Sequence, residues 1–156
     1  MVFKSQKQLE SFLLNKCKVA VADTENKVYA IIKSTLAEFY GEFSPEEYIR
    51  TNQLLHSLVK TDVKRVGNGY EAEVYFDDSM LNYDQGGIPL QHTPEHGMSG
   101  WATWTGETVL NVAMESSVPH GGHIGGTPVW TVSKRTLGDI KERLKQNLIA
   151  QGVPIK

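Results

Sequence analysis

Four histidines stand in two glycine-rich stretches, His92 and His96 spaced H-x3-H, and His120 and His123 spaced H-x2-H. Four imidazoles can complete a tetrahedral zinc site, the equipment of a metal-dependent hydrolase or nuclease. An H-x3-H clip grips a metal well on a helix, and Pro94 and Gly97 oppose a helix there. A set made only of histidines is not a common structural site, and no nearby cysteine joins them. The expectation is polar loop residues and no metal. The run Gly121-Gly122-His123-Ile124-Gly125-Gly126 lacks the lysine of a phosphate loop and the strand that opens a dinucleotide fingerprint. No G-x-S-x-G elbow is present. The acid pairs Glu46-Glu47 and Asp77-Asp78 fall at element ends, where solvation outweighs acid–base work. No catalytic residue and no cofactor is therefore expected.

Lys60, Lys64 and Arg65 form a small basic patch, offset by Glu71, Glu73 and Asp77. Sequence-specific nucleic-acid binding is not expected from it. The chain has 156 residues, which suits one domain, and its net charge of −2 argues neither for nor against a nucleic-acid partner. The single cysteine, Cys17, excludes an intrachain disulfide and suits a reducing compartment. The N-terminal MVFKSQKQ carries no apolar h-region, so no signal peptide is expected, and no apolar run approaches a membrane span.

The elements that would position these residues follow from periodicity. From about Ser5 to Tyr40, apolar and small residues recur at three- and four-residue steps. They include Leu9, Phe12, Leu13, Cys17, Ala20, Val21, Thr24, Val28, Ile31, Ile32, Thr35, Leu36 and Phe39. This predicts one long helix, with Cys17 as a small core residue and a weak point near Ala22-Asp23-Thr24. Gly41 ends it. Ser44-Pro45-Glu46-Glu47 is a helix-start signal for a short helix lined by Tyr48, Leu54 and Leu55. Residues 78–106 are too long for an ordinary connection and hold Tyr83, Trp101 and Trp104 among glycines and prolines. Either the tryptophans cap the core, or the segment is an interface arm whose aromatics anchor a partner. Glu107 to Ser116 reads as a short helix, and Pro128-Val129-Trp130 as a short strand or tuck. Ser133 to Gln151 reads as a last helix with Leu137, Ile140, Leu144 and Leu148 on one face, stopped by Gly152.

Between these helices lies a predicted β-hairpin. Asn68-Gly69 suits a two-residue type I′ turn, since both central residues need positive φ. Counting outward sets Lys64 against Glu73, Lys60 against Asp77, Val63 against Val74 and Thr61 against Phe76. Tyr70, Ala72, Val74 and Phe76 then point inward, and Glu71, Glu73 and Asp77 outward. The fold class expected is α+β in a single domain over 1–156: a long N-terminal and a C-terminal helix packed on a small antiparallel sheet. A two-stranded hairpin is marginal alone, so further strands must come from the loops or from a neighbouring subunit.

The stretch Tyr48-x-Arg50-Thr51-x-x-Leu54-x-x-Ser57, with the following strand Glu73 to Asp77 and the order of elements over most of the chain, resembles a family of tailed-bacteriophage tail components. That family includes tail-completion, or tail-terminator, neck proteins and minor structural proteins of prophages. The 78–106 loop departs from its pattern. The resemblance implies a virion structural protein that forms a ring, often hexameric, at the head–tail junction. Its partners would be other neck and tail-tube proteins, and it would be present in the host cytoplasm during assembly. It implies no catalysis and no membrane. Tyr83, Trp101, Trp104, Lys60, Lys64 and Glu73 are the candidate partner-binding residues. The alternatives are an enzyme using the loop histidines and a small phage-encoded regulatory binding protein.

Overall fold

A computed structural model of the chain describes residues 2–41, 53–81 and 129–155. Helix α1 runs over Gln6–Gly41 and α2 over Gln53–Ser57. Four short strands follow, β1 (Leu58–Lys60), β2 (Lys64–Val66), β3 (Gly69–Glu71) and β4 (Val74–Phe76). A 3-10 turn covers Asp78–Leu81, and helices α3 (Val129–Leu137) and α4 (Ile140–Ala150) complete the described residues. The fold is α+β, mostly helical, with a small antiparallel hairpin region.

α1 begins at a reciprocal cap. The Ser5 hydroxyl and carbonyl both accept from the Gln8 N–H, and the Gln8 side chain turns back to accept from the Lys4 N–H at 2.9 Å. Near Ala22-Asp23-Thr24 the helix is unbroken. The Thr24 hydroxyl donates to the Ala20 carbonyl at 2.8 Å, inside the helix's own ladder, so the polar side chain is satisfied without opening a turn. Of the apolar stripe, Leu9 alone is exposed, and Cys17 is half-buried with a free thiol. Gly41 is the last helical residue.

The hairpin register differs from the expected one. β2 pairs antiparallel with β3 as Lys64 with Glu71, Arg65 with Tyr70 and Val66 with Gly69. The turn is therefore Gly67-Asn68 rather than Asn68-Gly69, and Gly67 takes the left-handed φ of 57° at its first central position. Gly-Asn-Gly offers a glycine to either turn, and the chain uses the first. The slip is two residues across the ladder, so each residue keeps its face, and Lys64 still meets an acid. Exposure alternates as expected from Tyr70 to Phe76, with Tyr70, Ala72, Val74 and Phe76 half-buried between exposed Glu71, Glu73 and Tyr75.

β1 and β4 form a second two-stranded ladder. It is held by the Thr61 N–H on the Glu73 carbonyl at 2.9 Å and the Asp77 N–H on the Ser57 carbonyl at 2.8 Å. Between the two ladders Asp62 and Val63 on one strand oppose the single residue Ala72, which is a bulge. Val63 and Val74 are thus not partners, nor are Lys60 and Asp77, nor Thr61 and Phe76. Thr61 also uses its hydroxyl to accept the Glu73 N–H at 3.0 Å, which ties the strands beside the bulge.

The chain divides into two compact units. The first comprises Met1–Ala30, Lys60–Tyr75 and Leu137–Lys156. Within it the Asn147 amide donates to the Thr24 hydroxyl at 2.8 Å, joining α4 to α1. The last helix is shorter than expected, because Gly138 interrupts it with a φ of 63°. Asp139 then caps α4, its side chain accepting from the Lys141 N–H at 2.8 Å, and the Arg143 Nε donates to the Leu137 carbonyl across the break. The interruption also changes the expected apolar face: Leu137 is buried, Leu144 and Leu148 are half-buried, and Ile140, at the new helix start, is 48% exposed. α4 ends as a Schellman motif at Gly152, φ 81°, with the Gly152 N–H on the Ile149 carbonyl at 2.8 Å and the Val153 N–H on the Leu148 carbonyl at 3.0 Å.

The second unit comprises Ile31–Val59 and Phe76–Thr136. Among its described residues the buried apolar side chains are Ile32, Leu36, Leu54, Leu58, Leu81 and Val129. α2 packs on the 3-10 turn, and the fully buried Ser57 is satisfied by donating to the Leu54 carbonyl at 2.9 Å. Val129 and Trp130 open α3 instead of forming a strand, and the Lys134 ammonium lies 4.8 Å from the Trp130 ring centroid, one turn along the same face.

Candidate functional site

The hairpin presents the candidate surface, and it does so because of its turn and its bulge. The tight Gly67-Asn68 turn leaves the β2 residues Lys64, Arg65 and Val66 exposed, Val66 at 51%. On the returning strand Glu71, Glu73 and Tyr75 are exposed, so one strand carries two cations and the other two carboxylates. Lys64 lies directly across from Glu71, and Glu73 lies beyond the bulge, across from Thr61. The candidate residues Lys64 and Glu73 therefore share the hairpin without being partners.

Lys60 is placed differently. Its ammonium donates to the Asn26 side-chain carbonyl at 2.5 Å and lies 5.9 Å from the Tyr29 ring centroid. It ties the start of the hairpin to α1, which makes it a brace within the first unit. Val66 and Tyr75 join the face that Lys64 and Glu73 suggested, and Arg65, across from Tyr70, is exposed on the other face of the hairpin. For Tyr75 the signal lay in the alternation, which turns it outward between inward Val74 and Phe76. Asp77 is not a free solvated acid. One of its carboxylate oxygens accepts the Ser79 N–H at 3.1 Å and the Ser79 hydroxyl at 2.5 Å, capping the 3-10 turn.

A second polar feature lies on α1. Glu25 is 7% exposed and its Oε1 has no hydrogen-bond partner. It falls on the stripe of Val21, Val28 and Ile32 at helical spacing, the one sequence signal of its burial. Ser133, fully buried on α3, likewise has an unpartnered hydroxyl.

Tyr83, Trp101 and Trp104, the 82–106 part of the expected arm, the expected helix over Glu107 to Ser116, and His92, His96, His120 and His123 all lie outside the described residues. So does the stretch Ser44 to Arg50. Among the described residues no group of three or more histidine, cysteine, aspartate or glutamate side chains could hold a metal ion. No helix among them is long and apolar enough to cross a membrane.

No curated protein and no solved structure matches this chain. A family model does, over residues 5–151, which takes in the long helix, the hairpin and both C-terminal helices. The chain belongs to the YomN family, whose namesake is a Bacillus phage- or prophage-derived protein.

Proposed function

We propose that the protein is a structural subunit of the phage neck, a tail-completion or tail-terminator-like component that assembles into a ring at the head–tail junction. It works without catalysis and without a cofactor, by contact with its own copies and with neighbouring neck and tail-tube proteins. The observation that carries the reading is the exposed hairpin, with cations on one strand and carboxylates on the other, in a chain of phage-derived family. Such strands hold unpaired backbone groups at their outer edges, and edges of this kind bind further strands. The resemblance of Tyr48 to Ser57 to tail components supports the same reading.

Identical subunits joined through two different surfaces make heterologous contacts, which close into a ring when the rotation permits. Deleting the coding sequence tests the role. Lysates should then hold filled heads and separate tails with few joined particles, and supplying the protein in trans should restore joining. Normal joined particles in the deletion would reject the neck role and leave the regulatory binding protein as the better reading.

A further inference from the structure

We infer that the hairpin is a polar connector between copies of this chain, with β2 of one copy adding antiparallel to β3 of the next. The inference rests on the reading of the protein as a self-assembling subunit and specifies its contact. A two-residue turn makes its flanking pair, Val66 and Gly69, a hydrogen-bonded pair, and antiparallel ladders alternate. Arg65 and Tyr70 are then the non-hydrogen-bonded pair. The backbone N–H and C=O of Arg65 face the outer edge of β2, and those of Tyr70 face the outer edge of β3. Among the described residues each of these strands has one partner strand, so each outer edge offers a donor and an acceptor at matching positions.

Setting Arg65 of one copy against Tyr70 of the next satisfies both edges at once. The same register places Lys64 opposite Glu71 of the next copy and covers the exposed Val66 where Gly69 leaves room. The charges choose this arrangement over the symmetric ones. A two-fold β2–β2 contact in the same phase sets Arg65 against Arg65, and like charges directly opposite are destabilising. A β3–β3 contact sets Tyr70 against Tyr70 and Glu71 against Gly69, with no opposite-charge pair gained. Cations on one edge and carboxylates on the other thus favour head-to-tail addition, in which each copy leaves one edge free for the next.

Charge exchange tests this. In K64E/R65E the β2 edge becomes acidic, and in E71K/E73K the β3 edge becomes basic. Analytical ultracentrifugation of the full chain should show concentration-dependent self-association of the wild type, weakened roughly ten- to hundredfold in each variant alone. Mixing the two variants at equal amounts should restore association, because each new edge then meets an opposite one. Circular dichroism checks that both variants fold. Where one does not, the fourfold exchange K64E/R65E/E71K/E73K restores an opposite-charge pair at positions 64 and 71 within the hairpin and should associate as the wild type does. The wild type alone gives a further reading, since its association should weaken as salt rises. A wild type monomeric at every concentration, association indifferent to salt, or variants that associate unchanged would overturn the proposal. So would a mixture that stays monomeric. These outcomes leave the position in the virion untouched, since that is read on particles.

Discussion

Alanine at Gly67 and at Gly69, one at a time, separates the two turns that Gly-Asn-Gly permits. Gly67 holds a φ of 57°, and an added Cβ there would meet no atom within 4 Å, so the whole penalty is conformational. An L-residue in the left-handed region costs about 1–2 kcal/mol. Alanine also restricts the unfolded chain, which returns about 0.4–1 kcal/mol. The net loss for Gly67→Ala is on the order of 1 kcal/mol, or a fall in Tm of roughly 2–4 °C for a chain of this size. Gly69 is not among the positive-φ glycines, and a Cβ there would sit 3.8 Å from the Val66 carbonyl oxygen, an ordinary contact. Gly69→Ala should therefore be neutral or stabilising by up to about 1 kcal/mol. Urea unfolding followed by circular dichroism reads the difference, and amide exchange at Thr61 and Glu73 reports hairpin opening directly. A silent Gly67→Ala beside a destabilising Gly69→Ala would restore the Asn68-Gly69 turn and refute the observed register.

Leu36→Ala, at a fully buried site on α1, should cost about 2–5 kcal/mol by thermal or denaturant unfolding, and a loss under 1 kcal/mol would remove Leu36 from the core. A double-mutant cycle on Thr24→Ala and Asn147→Ala should give a coupling of about 0.5–1.5 kcal/mol from their 2.8 Å hydrogen bond, and zero coupling would unlink α4 from α1. Asp139→Ala should lose about 1 kcal/mol of stability through the lost cap of α4, whereas one uninterrupted C-terminal helix would gain from alanine there.

Where hydrophobic periodicity is long, the sequence was a sufficient guide. The stripe from Phe12 to Phe39 marks α1, and the burial along it follows the three- and four-residue spacing. Gly152 announced the end of α4 because no other residue takes its conformation cheaply. The faces of the hairpin were legible because alternation survives a slip of two residues. Its register was not, since Gly-Asn-Gly supplies two equivalent turn starts and the bulge opposite Ala72 leaves no local signature. The spacing of Leu137, Ile140, Leu144 and Leu148 runs across the Gly138-Asp139 break, and so concealed a glycine stop followed by an aspartate cap. Of the candidate contact residues, Lys64 and Glu73 stand on the exposed hairpin, while Lys60 turns to Asn26, a contact separated by too much chain for local pattern to reveal.

The most direct measurement is the protein's place in the virion. Purified particles labelled with antibody against the full chain, or imaged by cryo-electron microscopy at the neck, should show it as a closed ring between head and tail. Its hairpin should lie at the contact between successive copies. Label elsewhere on the particle, or virions without the protein, would contradict the neck assignment.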